Sequence, residues 1–275
     1  MFFSKYVGAG NDFIIIDNRT LTFPSHDHLF ISRLCERTTG IGADGLILLE
    51  NSKTADYKMR IFNSDGFEAE MCGNGIRCFF KFLQECEKNI SSCVVETKEA
   101  KIELTQDEAN ESFVKVKMQE PFDMRWNLNV DVDSKTLTLH HLNTGVPHLV
   151  IFSDSVKDHD LTDVAPKLRY HESFLPKGAN VNFATVTDNS NLSIRTYERG
   201  VENETLGCGT GATACALAAA CVLDMLLPIH VKTRSGEEIK IHGIIENRKS
   251  EVTIKEVTMT GKAHLLYKGK LANTI

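Results

Sequence analysis

Met71-Cys-Gly-Asn-Gly-Ile-Arg-Cys78 and Gly207-Cys-Gly-Thr-Gly-Ala-Thr-Ala214 are the two stretches that decide how this chain folds. In each, a Cys-Gly-x-Gly motif stands directly before an apolar segment. The first segment carries its apolar residues at helical spacing, namely Ile76, Phe79, Phe80 and Leu83. The second, Ala212–Leu227, is apolar nearly all round, which is typical of a helix inside a structure. We therefore predict one central helix after each motif.

The two motifs belong to a longer internal repeat. Four segments of the first half recur in the same order in the second half, at offsets of 135 to 137 residues. The pairs are Gly8-Ala-Gly-Asn-Asp with Gly145-Val-Pro-His-Leu, Gly42-Ala-Asp-Gly with Gly178-Ala-Asn-Val, Arg60-Ile-Phe-Asn with Arg195-Thr-Tyr-Glu, and Cys72-Gly-Asn-Gly with Cys208-Gly-Thr-Gly. Each match alone is weak, but four in one order predict a duplicated fold. The alternative is coincidence among short glycine-rich turns.

Short strands dominate the pattern around both helices. Apolar runs predict strands at 13–17, 46–49, 57–62 and 94–97 in the first half, and at 149–152, 181–186, 192–198 and 252–259 in the second. The predicted fold class is α/β, of the α+β type: two pseudo-symmetric domains, each a mostly antiparallel, β-barrel-like sheet around a central helix. The boundary is expected near residues 118–135, where Gln119-Glu-Pro-Phe-Asp123 interrupts a strand.

Composition excludes several classes of function. The 275 residues carry a net charge of −6, so nothing favours binding to nucleic acid or to an anionic membrane. The N-terminus lacks the pattern of a signal peptide. The stretch 209–227 is rich in Ala, Gly, Thr and Cys and contains Asp224, so we interpret it as a core helix rather than a membrane span. A cytoplasmic protein is expected.

Eight cysteines are present, and no two of them form a CxxC pair. A structural zinc site is therefore poorly supported. A cytosolic chain of this size needs no disulfides, so most of these thiols are predicted to be small apolar core residues. Cys78, inside the first predicted helix, is expected to serve packing rather than catalysis.

Cys72 and Cys208 are different because each stands at the start of a helix. The positive end of the helix dipole stabilises a thiolate, which can lower a cysteine pKa from about 8.5 into roughly the 3.5–7.5 range. The adjacent glycines let a ligand approach the backbone, and the N–H groups there can hold a carboxylate. One such motif alone could equally be an ordinary helix start.

Two symmetry-related motifs favour a specific reaction. If the halves face each other, the two cysteines lie on opposite walls of an interdomain cleft. One thiol can then remove a proton from one face of a carbon while the other delivers a proton to the opposite face. Helix N-termini would stabilise the enolate-like charge that develops on a carboxylate. No motif for a metal or for a pyridoxal cofactor is present, so no cofactor and no metal is expected.

Over essentially its whole length the chain resembles the diaminopimelate epimerase family. The matching segments are Gly8-Ala-Gly-Asn-Asp-Phe, Gly40-Ile-Gly-Ala-Asp-Gly, Phe62-Asn-Ser-Asp-Gly, Met71-Cys-Gly-Asn-Gly-Ile-Arg-Cys, Gly178-Ala-Asn-Val, Tyr197-Glu-Arg-Gly and Gly207-Cys-Gly-Thr-Gly. The resemblance implies cofactor-independent interconversion of LL- and meso-diaminopimelate for lysine and peptidoglycan synthesis. It also implies domains at 1–118 and 119–262, with a return segment at 263–275 that rejoins the first domain.

The resemblance assigns roles by position. Cys72 and Cys208 would form the acid/base pair. Residues carried over as substrate contacts are Asn11, Asn63, Gly73, Asn74, His148, Asn180, Glu198, Arg199, Gly209 and Thr210. Within this set, backbone N–H groups of Gly73, Asn74, Gly209 and Thr210 would hold the reacting carboxylate, and His148 with Glu198 would flank the α-amino group.

Some of these residues have plainer interpretations. Asn11 and Asn63 could cap turns, Arg199 could form a surface ion pair, and His148 could be a structural histidine. The expected partner is a small-molecule amino acid, and a homodimer stays an open alternative. Nucleic acid and membrane are not expected partners.

One residue departs from the family pattern. The family carries Gly-Asn-Pro-His where this chain has Gly145-Val-Pro-His148, and a valine offers no hydrogen bond to substrate. This predicts a weaker grip on the distal end of the substrate, with glutamate as a second substrate. The competing hypotheses are a proline racemase-like or phenazine-pathway isomerase-like enzyme, a thiol redox sensor with a reversible Cys72–Cys208 disulfide, and an amino-acid-binding protein.

Overall fold

The computed structural model describes residues 1–133, 135–156, 161–248 and 251–272. The chain divides into two compact units. Unit 1 comprises Met1–Val116 together with Thr260–Ile275, and unit 2 comprises Lys117–Met259. Each unit contains a sheet and one long, largely buried helix, and in both cases that helix begins directly after a cysteine.

Unit 1 contains eight strands from its first segment and one from the C-terminal segment. The strands are β1 (Phe2–Gly8), β2 (Asn11–Asp17), β3 (Gly45–Glu50), β4 (Tyr57–Asn63), β5 (Glu68–Ala69), β6 (Ser92–Glu96), β7 (Lys101–Gln106), β8 (Phe113–Lys117) and β18 (His264–Lys270). The helices are α1 (His28–Cys35) and α2 (Gly73–Cys86).

The sheet of unit 1 is mostly antiparallel. Strand β1 lies between β18 and β2, β3 pairs with β4, and β7 lies between β6 and β8, all antiparallel. Parallel pairing joins β2 to β3 and β4 to β6. Helix α2 contacts β1, β2, β3, β4 and β18. Its apolar side chains are therefore buried, and Phe79, Phe80 and Leu83 have no exposed surface.

Unit 2 contains β9 (Phe122–Val132), β10 (Lys135–Asn143), β11 (Pro147–Phe152), β12 (Asn180–Asp188), β13 (Asn191–Glu198), β14 (Asn203–Thr205), β15 (Ile229–Lys232), β16 (Glu238–Arg248) and β17 (Glu251–Lys262). Its helices are α3 (Leu161–Arg169) and α4 (Gly209–Val222), and a 3₁₀ turn spans Glu172–Phe174. Strand β17 ends in unit 1, because the division between the units falls after Met259.

The pairing of unit 2 repeats that of unit 1. Strand β10 lies antiparallel between β9 and β11, β12 pairs antiparallel with β13, and β15 with β16. The two parallel pairs recur as β11 with β12 and β13 with β15. Helix α4 contacts strands β10 to β13, β15 and β16. The predicted fold class, two similar mostly antiparallel sheets each with a central helix, is confirmed.

All eight predicted strands exist, with ends that differ by a few residues. The largest extension concerns the strand predicted at 252–259, which is part of the longer strand Glu251–Lys262. The strand predicted at 94–97 ends one residue earlier, because Thr97 lies outside β6. The prediction that the second helix runs to Leu227 is wrong, because α4 ends at Val222. Leu223 leaves the helical conformation and Asp224 has a φ of 54°, so the backbone turns away there. Pro228 also disfavours helical backbone at the residue before it.

The prediction of an interior helix is correct for Gly209–Val222, because all but three of its residues are buried. Ala and Gly dominate this helix, so neighbouring strands approach its backbone closely. In the described part of the chain, no helix is long and apolar enough to cross a membrane.

Candidate active site

Cys72 occupies the N-cap position of α2. Its backbone is extended, with φ −139° and ψ 119°, and its carbonyl accepts the first helical hydrogen bond from Ile76 at 2.9 Å. The thiol is partly exposed, and it does not cap the helix by a side-chain hydrogen bond. The N–H groups of Gly73 and Asn74, in the first turn, have no acceptor within the helix. Unit 1 therefore presents a thiol and N–H donors at the positive end of one helix.

Two asparagines of the predicted set meet beside this helix start. Asn74 Nδ2 donates to Asn11 Oδ1 at 2.7 Å, and Asn11 Nδ2 donates to Asp44 at 2.9 Å. Asn74 in turn accepts a hydrogen bond from Arg77 Nη2 at 2.8 Å. The structure thus joins Asn11 and Asn74 directly. Asp44 and Arg77 were not among the residues selected from the sequence.

Asn63 lies at the exposed end of β4. Its N–H donates to the Phe67 carbonyl and its carbonyl accepts from Gly66, both at 2.9 Å. Its backbone therefore closes the turn that follows β4. The structure shows no hydrogen bond from its side chain to Cys72, Asn11 or Asn74 among the described residues of unit 1.

Cys208 occupies the equivalent N-cap position of α4. Its φ and ψ of −117° and 112° are again extended, and its carbonyl accepts a hydrogen bond from Ala212 at 2.9 Å. The thiol sulfur lies 3.5 Å from the hydroxyl of Thr210. Cys208 is buried, whereas Cys72 is partly exposed, so the two equivalent thiols have different surroundings.

Glu198, at the end of β13, is the charged group beside Cys208. Burial raises the pKa of its carboxyl group, while hydrogen bonds from Thr205 and from Cys208 act in the opposite direction. A carboxylate that accepts from a thiol favours the protonated thiol, because a thiolate there would face a second negative charge. Thr205 was not selected from the sequence, although it stands only three residues before Cys208.

His148 is completely buried at the start of β11. Asn182 Nδ2 lies 3.1 Å from His148 Nδ1 and 2.8 Å from the Leu149 carbonyl, while Asn182 Oδ1 accepts from Thr196. These contacts orient the amide so that Nδ1 of the imidazole accepts, which places the ring proton on Nε2. Burial lowers the pKa of His148 to about 3, so the ring is neutral. Its Nε2 atom has no hydrogen-bond partner among the described residues.

Asn180 and Arg199 are linked through the backbone. The N–H of Arg199 donates to Asn180 Oδ1 at 2.7 Å, which leaves the Asn180 amide nitrogen as a donor. The Arg199 guanidinium lies 3.4 Å from the Lys177 carbonyl at the surface. Arg199 forms no ion pair with the described residues, so the surface ion pair considered for it is not seen.

The loop that carries Val146 is attached to the start of α4. Thr144, buried in this loop, donates its hydroxyl hydrogen to the carbonyl of Thr210 at 3.0 Å. Gly145 adopts a φ of 113°, and Val146 is partly buried two residues after Thr144. The position that departs from the family pattern therefore belongs to the loop beside the Cys208 helix.

In both units, the start of the long helix carries groups suited to the same chemistry. A thiol at a helix N-terminus is suited to acid/base catalysis, and the first-turn N–H groups beside it are suited to holding a carboxylate. Cys78, by contrast, is fully buried within α2, and burial also raises the pKa of Cys215 in α4 above its usual range. The two N-cap cysteines are thus set apart from cysteines inside the helices.

Solved structures place this architecture among known folds. The chain is similar to a PhzF-family phenazine biosynthesis protein from Bacillus anthracis, with a TM-score of 0.73 and 15% identity over 99% of each chain. It is also similar to a probable proline racemase from Agrobacterium radiobacter, with a TM-score of 0.68 and 15% identity over 99% of this chain and 93% of that one. At such identities the likeness concerns the fold alone.

Sequence comparison defines the family. The diaminopimelate epimerase family model matches residues 3–122 and 141–266. A diaminopimelate epimerase from Hydrogenobaculum sp. is 40% identical over the full length of both chains, and one from Aquifex aeolicus is 38% identical over 100% of this chain and 99% of its own. The chain belongs to the diaminopimelate epimerase family of isomerases.

Proposed function

We propose that this enzyme interconverts LL- and meso-diaminopimelate by a two-base mechanism, with Cys72 and Cys208 as the acid/base pair. The observation that carries the proposal is the equivalent placement of both cysteines, each at the N-cap of the long helix of its unit. Relatives named diaminopimelate epimerase, similar over their whole length, support the choice of substrate. In this proposal one thiol removes the α-proton and the other delivers a proton to the opposite face of the α-carbon.

The surroundings of the two cysteines support different resting states for them. Cys208 contacts the carboxylate of Glu198, which disfavours a thiolate at that position. Cys72 stands at a helix N-terminus, which favours one. In one direction of the reaction Cys72 therefore removes the α-proton, and Cys208 delivers its proton to the opposite face. In the reverse direction the roles exchange.

The reacting carboxylate would bind where helix geometry leaves N–H groups without acceptors. These groups are in the first turns of α2 and α4. As the α-proton leaves, negative charge moves onto the carboxylate oxygens, and donors aimed there stabilise it. In this proposal the two thiols supply the acid/base chemistry and the helix ends supply the charge stabilisation, without a cofactor.

The α-amino group is assigned to Glu198 rather than to His148. A substrate ammonium group can only donate, and Glu198 is the acceptor beside Cys208. His148 carries its proton on Nε2, so it offers a donor at that atom, which suits a carboxylate oxygen of the substrate. The distal ammonium and carboxylate would be bound by Asn63, Asn180 and Arg199.

Specificity at the distal end is part of the proposal. Val146, in the loop that Thr144 holds against the α4 helix start, has no hydrogen bond to offer where the family has asparagine. We therefore infer that a smaller amino acid with a distal carboxylate, such as glutamate, is also turned over. The proposal further places the enzyme in the cytoplasm, in lysine and peptidoglycan synthesis.

Exchange of the α-proton in deuterated water, followed by NMR, tests the mechanism. LL-diaminopimelate offered to the reduced enzyme is expected to gain deuterium at the α-carbon with inversion. Cys72→Ala and Cys208→Ala should each abolish inversion. Cys86→Ala is the matched control, because Cys86 is an exposed cysteine in the last turn of α2, and it should leave the rate unchanged.

The same experiment separates the competing functions. Exchange into L-proline but not into diaminopimelate would indicate a proline racemase-like enzyme. Binding of diaminopimelate without exchange would indicate an amino-acid-binding protein. Absence of both, together with a reversible Cys72–Cys208 disulfide, would indicate a thiol redox sensor.

A further inference from the structure

Four polar side chains of unit 1 form a hydrogen-bond series that runs in one direction. Arg77 donates to Asn74 at 2.8 Å, Asn74 donates to Asn11 at 2.7 Å, and Asn11 donates to Asp44 at 2.9 Å. We call this series the amide relay. It begins with a guanidinium, which can only donate, and ends with a carboxylate, which can only accept.

The charged ends determine how both amides are oriented. Reversing the Asn11 amide would place its oxygen against the Asp44 carboxylate and its nitrogen against the Asn74 nitrogen. Reversing the Asn74 amide would likewise place its nitrogen against the Arg77 guanidinium. Both reversed arrangements set like partners against each other, and burying such mismatched groups is costly. Each amide therefore has a single orientation.

The two ends of the relay are themselves held in place. Arg77 is completely buried, and it also donates to the Gly73 carbonyl at 3.1 Å. A Cβ at Gly261 would lie 2.9 Å from its Nε, so the guanidinium fills space that only a glycine leaves. At the other end, Asp44 accepts from the backbone N–H of Asp12 at 3.2 Å, whereas its ion pair with Arg37 lies at the exposed surface.

Unit 2 lacks this series. By the repeat offset, Thr210 and Thr213 stand in the places of Asn74 and Arg77. Thr213 keeps the contact to the first residue of its helix, donating to the Gly209 carbonyl at 2.9 Å, but it carries no guanidinium. The amide relay thus occurs in unit 1 and not in the described part of unit 2, and it contains Asn11, a predicted substrate contact.

We propose that Arg77 and Asp44 are positioning residues that act through this relay to present the second Nδ2 hydrogen of Asn11 to an acceptor oxygen of the substrate. This inference rests on the proposed function, because it takes Asn11 as a substrate contact. Arg77 and Asp44 themselves touch neither the substrate nor the reacting atoms. Their effect on catalysis passes through the orientation of the Asn11 amide.

The kinetic test uses a double-mutant cycle. Asp44→Asn lets the Asn11 amide reverse, so kcat/KM for LL-diaminopimelate should fall about tenfold, the effect of about one hydrogen bond. In an Asn11→Ala background the same substitution should have no further effect. Arg37→Gln is the matched control, since it removes an ion pair from Asp44 and leaves the relay intact. Its kcat/KM should stay within twofold of wild type.

A second pair of variants keeps the test decisive if Asp44→Asn does not fold. Arg77→Lys retains a group that only donates and should keep most of the activity, whereas Arg77→Gln permits reversal and should lose about tenfold. Additive losses in the double-mutant cycle, or equal losses in Arg77→Lys and Arg77→Gln, would overturn the proposal.

An NMR measurement on the ligand-free protein tests whether the side chains of the relay are coupled, independently of catalytic turnover. With ¹⁵N-labelled asparagine, the side-chain amide signals of Asn11 and Asn74 should both shift in Asp44→Asn, while Arg37→Gln should leave the Asn74 signal in place. An unshifted Asn74 signal in Asp44→Asn would overturn the relay. If the wild-type enzyme does not exchange α-protons, the proposed function fails, and this measurement still decides the relay on its own.

Discussion

Gly211, in the first turn of α4, lies directly against the side-chain amide of Asn182. A Cβ added to Gly211 would overlap Asn182 Oδ1 and come within 3.3 Å of the Cys208 sulfur. Asn182 is fully buried and also contacts His148. The absence of a side chain at Gly211 therefore allows the helix start, the cysteine and the histidine to pack around one amide.

Gly211→Ala is expected to disturb this packing. The added methyl group must displace either Asn182 or the first turn of α4, which should lower the free energy of unfolding by about 1–3 kcal/mol. Because the displaced turn carries Cys208 and the N–H groups proposed to bind the carboxylate, kcat/KM should fall at least tenfold. Urea unfolding and α-proton exchange measure the two effects.

The control for this prediction is Gly243→Ala. A Cβ at Gly243 meets its nearest neighbours at 3.5–3.6 Å, which is ordinary contact, so stability and activity should change little. Equal effects of the two substitutions would contradict a specific role for the space at Gly211.

The pH dependence of activity should reflect the ionisation of the Glu198 carboxyl group. Burial raises the pKa of its carboxyl group, so the carboxylate is present above that pKa and is lost as the pH falls through it. We expect kcat/KM to decline on the acid side at a higher pH than an ordinary glutamate, whose pKa is about 4.3, would cause. Glu198→Gln should lower kcat/KM about 100-fold and remove this acid limb.

Glu96→Gln serves as the comparison for the pH profile. Hydrogen bonds from Ser52 and Thr54 lower the pKa of Glu96, which lies in unit 1, so its substitution should leave the acid limb unchanged. An identical limb in wild type and Glu198→Gln would show that another group titrates.

The parts of the fold that the sequence predicts are those encoded by local patterns. Both central helices begin where the Cys-Gly-x-Gly motifs place them, because a glycine-rich start followed by apolar helical spacing is a local signal. The end of α4 was mispredicted because Leu223–Leu227 continues the apolar composition while its backbone leaves the helix. The polar hairpin of β9 and β10 gave no apolar run and was missed.

The residues of the candidate site divide in the same way, into those that a local sequence pattern reveals and those that only tertiary contacts bring together. The two cysteines could be recognised because each occurs in a repeated motif. The relay from Arg77 to Asp44 could not, because its links join residues 63 and 33 positions apart in the chain. Tertiary contacts of this kind depend on which strand ends lie beside α2. No local pattern in a single sequence predicts which strand ends these are.

Stability at acid pH should reflect buried neutral histidines. Burial lowers the pKa values of His140, His141 and His148, the last to about 3. In the unfolded chain a histidine has a pKa of about 6.5. Between the two values the unfolded state binds more protons, so the stabilisation is complete above about pH 6.5 and declines as the pH falls.

For His148 alone, lowering the pH from 7.5 to 5.5 should reduce the free energy of unfolding by about 1.4 kcal/mol. Urea titrations at the two pH values measure the total loss from the three buried histidines. His140→Phe, which replaces a ring packed beside Trp126 and Phe152, should reduce this total loss. Substitution of the exposed His26 by glutamine is the control. If the loss in His140→Phe is as large as in wild type, His140 does not contribute to the pH dependence of stability.

Substrate preference should depend on Val146. The loop that contains it is held by the hydrogen bond from Thr144 to the first turn of α4, so this loop lies beside the start of the Cys208 helix. Val146→Asn introduces an amide that can bond a charged distal group, which is worth roughly 1.5–3 kcal/mol. The rate ratio of α-proton exchange for LL-diaminopimelate over L-glutamate should therefore rise at least tenfold. Val146→Ala removes volume without adding a hydrogen bond, and its ratio should match wild type. If Val146→Asn and Val146→Ala give the same ratio, hydrogen bonding at this position does not set the specificity of the enzyme.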